Sequence, residues 1–277
     1  MVVIYVLYLS YSPSSYVKTG ERYLAIDTDF PTRAVMKEQN LSIDKRKELT
    51  EAVVTAYQHN PDVILLPEDA RLINIFGSEK ETLTFLQSIP ADTKPLVVDS
   101  ARVEIDDNSY SYLRAFYFDT ENDQVYKKDK QYLISGGEYI SYLFRGILSS
   151  IGQGELLKAA GKDMNYVPGP FNSYNDFPDN FPAIIFCFES SSAFAAKEND
   201  QLGNVILHPL SHSNFHTPEL LWYQLDALLR TQAIWSGKVI ISATNMAQSK
   251  IYYPDGRIET GEVVNKNPLW HLVIYDI

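Results

Sequence analysis

Residues 183–189 read Ala-Ile-Ile-Phe-Cys-Phe-Glu. The apolar run over 183–188 has the length of a fully buried strand and is too short for an ordinary buried helix. Near its end lies Cys187, the single cysteine among 277 residues. One cysteine excludes an internal disulfide framework and any multi-cysteine metal site. Cys187 is therefore either a small buried apolar residue or a lone nucleophile.

On both sides of this run, strand-like and helical segments alternate. Residues 23–26, 62–66, 95–99, 112–119, 204–207, 239–242, 251–253 and 272–275 read as strands, and 41–59, 79–88, 138–149 and 217–236 as helices. Thr217 and Pro218 suit the N-cap and first position of the last helix. Pro254-Asp255-Gly256 reads as a hairpin turn. Residues 152–182, rich in Gly, Pro and Asn, form a longer connection than compact domains usually hold. Its aromatics Tyr166, Phe171, Tyr174, Phe177 and Phe181 either admit an apolar ligand or close the loop onto the domain.

Composition shifts only near the start, which predicts an apolar leader over 1–20 and one α/β domain over 21–277. Pattern alone does not separate a doubly wound sheet from a four-layer sandwich. Residues 1–9 (MVVIYVLYL) fall short of the roughly 20 that a membrane-spanning helix needs and lack the basic start of a secretory signal. They read as either a buried strand or the stub of a membrane helix. Hydrophobic residues make up 45% and charged residues 21%, the balance of a packed globular protein. The net charge of -11, from 35 acids and 24 bases, argues against a general nucleic-acid binder.

Three residues stand where α/β folds place function, at or just past the ends of buried strands: Glu68, Lys130 and Cys187. Singly, each has a plainer reading. Glu68 would be a loop carboxylate, Lys130 part of a wet cluster with Lys127 and Lys128, and Cys187 core packing. His208, His212 and His216 are spaced by four like zinc ligands on a helix, but Pro209 breaks helical spacing there, so no metal site is expected.

Glu, Lys and Cys in this order resemble the catalytic triad of the nitrilase or carbon-nitrogen hydrolase superfamily. Finer segments resemble the bacterial apolipoprotein N-acyltransferases within it. Leu65-Leu66-Pro67-Glu68-Asp69-Ala70 resembles their (W/F)PE(T/S)A, and residues 126–139 (YKKDKQYLISGGEY) resemble Y-x-K-x-H-L-V-P-F-G-E-Y. Val167-Pro168-Gly169 resembles SPG, Cys187-Phe188-Glu189 resembles C-Y-E, and Arg230, Ala233 and Thr244-Asn245 resemble the R-A-x-E and T-N positions. The resemblance covers roughly 22–277. It implies a four-layer αββα sandwich, with Glu68 as base, Lys130 as oxyanion stabiliser and Cys187 as nucleophile. It further implies Glu138 and Glu189 as supporting glutamates, Tyr139, Phe188 and Phe215 as substrate contacts, and no cofactor.

By the same resemblance the protein would move an acyl chain from a phospholipid through a Cys187 thioester to the N-terminal amine of a lipoprotein. It would work at a membrane surface, on the outer face of the bacterial cytoplasmic membrane. The alternatives are a soluble cytoplasmic amidase with the same triad, and a non-catalytic domain that binds lipid or a partner. The chain departs from the family at Ser211-His212-Ser213-Asn214-Phe215-His216, where N-D-x-W-F-G is usual, and at Leu113-Arg114, where Asn-Ser is usual. The family also carries several membrane helices around this domain.

Overall fold

The computed structural model describes residues 18–39, 42–105, 110–134, 138–155, 165–170, 174–197, 202–213 and 219–277. The run over 1–9, Phe171, Phe215, His216, Thr217 and Pro218 lie outside the described residues. The described strands form one hydrogen-bonded sheet folded into two halves. The first half contains β1 (Arg22–Thr28), β2 (Val63–Leu65), β3 (Leu96–Ile105), β4 (Tyr110–Asp119) and β5 (Gln124–Asp129) in that spatial order. The second contains β6 (Ala183–Ile184), β7 (Val205–Ser211), β8 (Val239–Asn245), β9 (Ile251–Tyr252) and β10 (Ile258–Glu259). β11 (Glu262–Lys266) and β12 (Trp270–Asp276) return to the first half, where β12 runs antiparallel to β1.

Period-two alternation sorts the side chains into layers. Tyr23 and Ala25 of β1, Val63 and Leu65 of β2, and Ala115 and Tyr117 of β4 share a core with β6, β7 and β8. Leu24, Ile26, Ile64, Phe116 and Phe118 face the other way. The helices sort accordingly: α1 (Arg33–Glu38), α2 (Lys45–Tyr57), α3 (Leu72–Phe76), α4 (Glu79–Ser88), α5 (Tyr142–Ser150), α6 (Ala193–Lys197) and α7 (Glu219–Ser236). α2 buries Leu49, Ala52, Val53, Ala56 and Tyr57 against the outer face of the first half, and α4 adds Leu83 and Leu86. α7 buries Leu225, Leu229 and Ala233 with the residues of β7 and β8. The result is helix, sheet, sheet, helix.

The halves meet at a single strand pairing, Thr28 with Asn245. Asn245 braces it: Oδ1 accepts from Thr28 Oγ1 (2.9 Å) and Phe30 N (2.8 Å), and Nδ2 donates to Phe30 O (2.9 Å) and Ser211 Oγ (3.3 Å). Beside it, buried Asp27 accepts from Thr244 N and Ser249 N. Asn245→Ala should therefore lower unfolding stability by about 3 kcal/mol, since it strands buried donors and an acceptor. Urea denaturation measures this, and an unchanged midpoint would show that the joint does not depend on this side chain.

Three segments differ from their sequence reading. The helix expected over 41–59 starts at Lys45, because the Asp44 carboxylate caps it by accepting from Lys47 N (3.2 Å). The helix expected from Glu138 starts at Tyr142. Before that, Glu138 N donates to Ile134 O and Tyr166 N donates to Glu138 O, which ties the glutamate into a non-helical turn. The strand expected over 183–188 ends at Ile184. Cys187 opens a 3-10 turn, Cys187–Ser191, with a φ of 37°.

The described part of the connection over 152–182 closes onto the domain at Tyr174 and Phe177. Tyr174 and Phe177 are buried in the inter-sheet core, where Phe177 meets Tyr117 edge to face with centroids 5.0 Å apart. The Tyr174 hydroxyl bonds to both the N–H and the carbonyl of Ile184.

Candidate active site

The two half-sheets bring three loops together. Glu68 stands three residues past β2, on a loop held by Ser100: Asp69 N donates to Ser100 Oγ (2.8 Å) and Arg71 N to Ser100 O (3.0 Å). Lys130 directly follows β5 and is almost fully buried, at 1% exposure. Gly169 supports it from behind, donating its N–H to Lys130 O (2.8 Å). A Cβ at Gly169 would lie 2.4 Å from Asp129 Cβ, so only glycine allows this approach. Cys187 is buried at the elbow after β6.

These side chains converge. Lys130 Nζ lies 3.4 Å from Glu68 Oε1 and forms a close ion pair with Glu138 Oε1. Glu138 Oε2 accepts from Ile134 N (2.9 Å), which fixes the carboxylate that grips the lysine. The Cys187 thiol lies close enough to this pair for the charges of Glu68 and Lys130 to act on it. Glu189 ties the cysteine turn to the lysine loop. Its Oε2 accepts from Phe186 N (2.9 Å), and its Oε1 from Gln131 N (2.9 Å) and Tyr132 N (3.0 Å).

Electrostatics assign the protons. Burial pushes Glu68 up to about 7 against the pull of Lys130, with Glu138 adding to the rise. Burial alone would lower the Lys130 ammonium, but Glu68 and Glu138 hold it above its ordinary value, so it stays charged. Burial and then the Glu68 charge push the Cys187 thiol well above its ordinary range, and Lys130 only partly offsets them. Cys187 is thus a protonated thiol near a carboxyl that titrates near neutrality. A carboxylate so placed can take the proton of a thiol and leave a reactive thiolate.

Neither a family model nor a curated protein matches the chain. Solved structures do. An amidase from Nesterenkonia sp. AN1, carrying acrylamide added at its active-site cysteine, aligns at a TM-score of 0.58 and 14% identity, over 93% of this chain and 93% of its own. A carbon-nitrogen hydrolase superfamily protein from Xanthomonas campestris aligns at 0.55 and 10% identity, over 92% and 89%. Nit3 of Saccharomyces cerevisiae, a nitrilase superfamily member, aligns at 0.55 and 11% identity, over 95% and 92%.

The fold is the nitrilase fold. On it, five residues singled out from sequence come together: Glu68, Lys130, Cys187, Glu138 and Glu189. Phe188 is half-buried against the inter-sheet core, and Tyr139 is half-buried at an isolated bridge with Asn165. Among the described residues no group of three or more His, Cys, Asp or Glu side chains could hold a metal ion. His208 lies within strand β7 and His212 just past its end. Two supporting residues have no comparable signal in the sequence: Ser100, which holds the Glu68 loop, and His208, considered there only as a metal ligand, whose Nε2 bonds the Cys187 carbonyl (2.9 Å). Neither belongs to a local motif, because each acts on backbone brought near only by folding.

Proposed function

We propose that this protein is an acyl-transferring enzyme of the carbon-nitrogen hydrolase type that works through a thioester on Cys187. The observation that carries this reading is the Glu68–Lys130–Cys187 cluster, in which the buried Lys130 ammonium lies 3.4 Å from Glu68 and both charges act on the buried thiol. In the first half-reaction Glu68 takes the thiol proton as Sγ attacks an ester or amide carbonyl. Lys130 stabilises the oxyanion. The intermediate collapses, the leaving alcohol or amine takes the proton from Glu68, and a thioester remains. In the second half-reaction an incoming nucleophile gives its proton to Glu68 as it attacks the thioester. The proton then returns to the departing sulfur.

For the substrates we infer a phospholipid donor and, as acceptor, the N-terminal amine of a lipoprotein. This follows from the resemblance of Gly137-Glu138-Tyr139 and Cys187-Phe188-Glu189 to apolipoprotein N-acyltransferases. One structural observation supports a lipid source. Leu143, Ile147 and Ile151, at steps of four along α5 and its end, are 76%, 47% and 62% exposed. Arg145 is the one charged residue in that helix. An exposed apolar stripe a few residues past Glu138 suits a membrane surface from which an acyl chain enters. No helix among the described residues is long and apolar enough to cross a membrane.

The second reading keeps the triad and uses water as the acceptor, and the amidases that share the fold motivate it. Phospholipid plus an N-terminal diacylglyceryl-cysteine peptide should yield lysophospholipid and N-acyl peptide, both lost in Cys187→Ala. Ammonia from small amides without lipid turnover would favour the amidase. Neither product, with an active Cys187→Ala in the biological assay, would overturn both.

A further inference from the structure

Cys187 adopts a left-handed backbone conformation that side chains other than glycine disfavour, so surrounding contacts must hold it there. Its carbonyl oxygen accepts from Ser190 Oγ (2.9 Å) and meets His208 Nε2 at 2.9 Å. A carbonyl only accepts, so Nε2 must carry the hydrogen. Burial pulls the His208 pKa down to about 4, which keeps the ring neutral and leaves Nδ1 a bare acceptor. That Nδ1 is buried and has no hydrogen-bond partner.

A fully buried histidine with an orphaned nitrogen is an unfavourable choice for a strand that otherwise reads apolar. A leucine would fill similar space and leave no orphan. The same pattern occurs on the other side of the turn. Gln232 of α7 donates from Nε2 to Ser190 O and Ser192 O, at 2.8 Å each, while its buried Oε1 has no partner. Two buried side chains thus aim donors at carbonyls of the Cys187 turn, and each leaves an acceptor stranded.

We propose that His208 is a positioning residue whose Nε2–H pins the Cys187 carbonyl and so holds the strained turn that aims the thiol toward Glu68. It rests on the reading of Cys187 as the nucleophile. His208 reaches the reaction through the Cys187 backbone, so its loss should slow capture by the thiol and leave substrate affinity unchanged. Glutamine can place an amide donor where Nε2 stands, whereas asparagine is too short and leucine has no donor.

The test is the rate of Cys187 alkylation by iodoacetamide against pH, in the full chain, alongside melting temperature. Wild-type reactivity should rise with a midpoint near the Glu68 value of about 7. His208→Leu should alkylate about tenfold more slowly or worse, with its midpoint moved to higher pH as the thiol loses its base. His208→Gln should stay within about threefold of wild type. If His208→Leu does not fold, His208→Asn against His208→Gln makes the same comparison. Equal rates and midpoints in wild type and His208→Leu would overturn the proposal. So would equal losses in Leu, Asn and Gln variants, which would point to packing. A wild-type Cys187 whose alkylation ignores both pH near 7 and Glu68→Gln would instead sink the nucleophile reading, and this proposal with it.

Discussion

Glu68→Gln should lower the rate of thioester formation on Cys187 by about 10³-fold, because glutamine occupies the same space but cannot take the thiol proton. The loss should be largest above pH 7. There the wild-type carboxylate is ionised, since burial has raised its pKa from 4.5 to about 7. Wild-type activity should accordingly climb as pH rises through about 7. The same shift fixes the sign of a stability effect. Folded Glu68 binds its proton more tightly than the unfolded chain does, so stability falls as pH rises between 4.5 and about 7. Glu68→Gln should remove that slope, leaving a variant that is inactive yet no less stable at pH 8. Urea denaturation at pH 5 and pH 8 beside single-turnover kinetics reads both. An inactive variant that is also much less stable would point to a structural role for Glu68.

Lys130→Met should be severe in a different way. The ammonium is fully buried between Glu68 and Glu138, and removing it leaves two carboxyl groups facing one another without a countercharge. The expected cost is about 3–5 kcal/mol at pH 8, where an uncompensated charge must stay buried. It should shrink at pH 5, where Glu68 can hold a proton. Adduct formation should fall by about 10²–10³-fold even where the protein is folded, because the oxyanion loses its cation. A loss of stability equal at both pH values would contradict the electrostatic account.

Much of this site was legible because its chemistry sits in short segments. Glu68 follows an apolar strand and a proline, and Cys187 is the chain's one thiol, so residue type and position carry the signal. Lys130 was harder. Lys127 pairs with Glu79 at the surface, Lys128 is buried over the Tyr174 ring and Lys130 is buried in the site. Composition reads all of them alike, and only the aligned Gly-Glu-Tyr segment distinguished Lys130. The layering was within reach of period-two patterning, but the joint between half-sheets was not. It depends on Asn245 and Asp27, which bond across more than 200 residues of chain. The turn at Cys187 was misread as strand because AIIFCF is uniformly apolar. Its end is set by Glu189, whose carboxylate draws in Phe186 N, a contact that hydropathy does not encode.

In the proposed reaction Cys187 carries the acyl group. Incubating the whole protein with phospholipid, quenching within turnover and mapping peptides by mass spectrometry tests it directly. An acyl mass should appear on the peptide containing Cys187 and be absent in Glu68→Gln and in Cys187→Ala. Turnover by Cys187→Ala at the wild-type rate, or an acyl group found only on another residue, would contradict it.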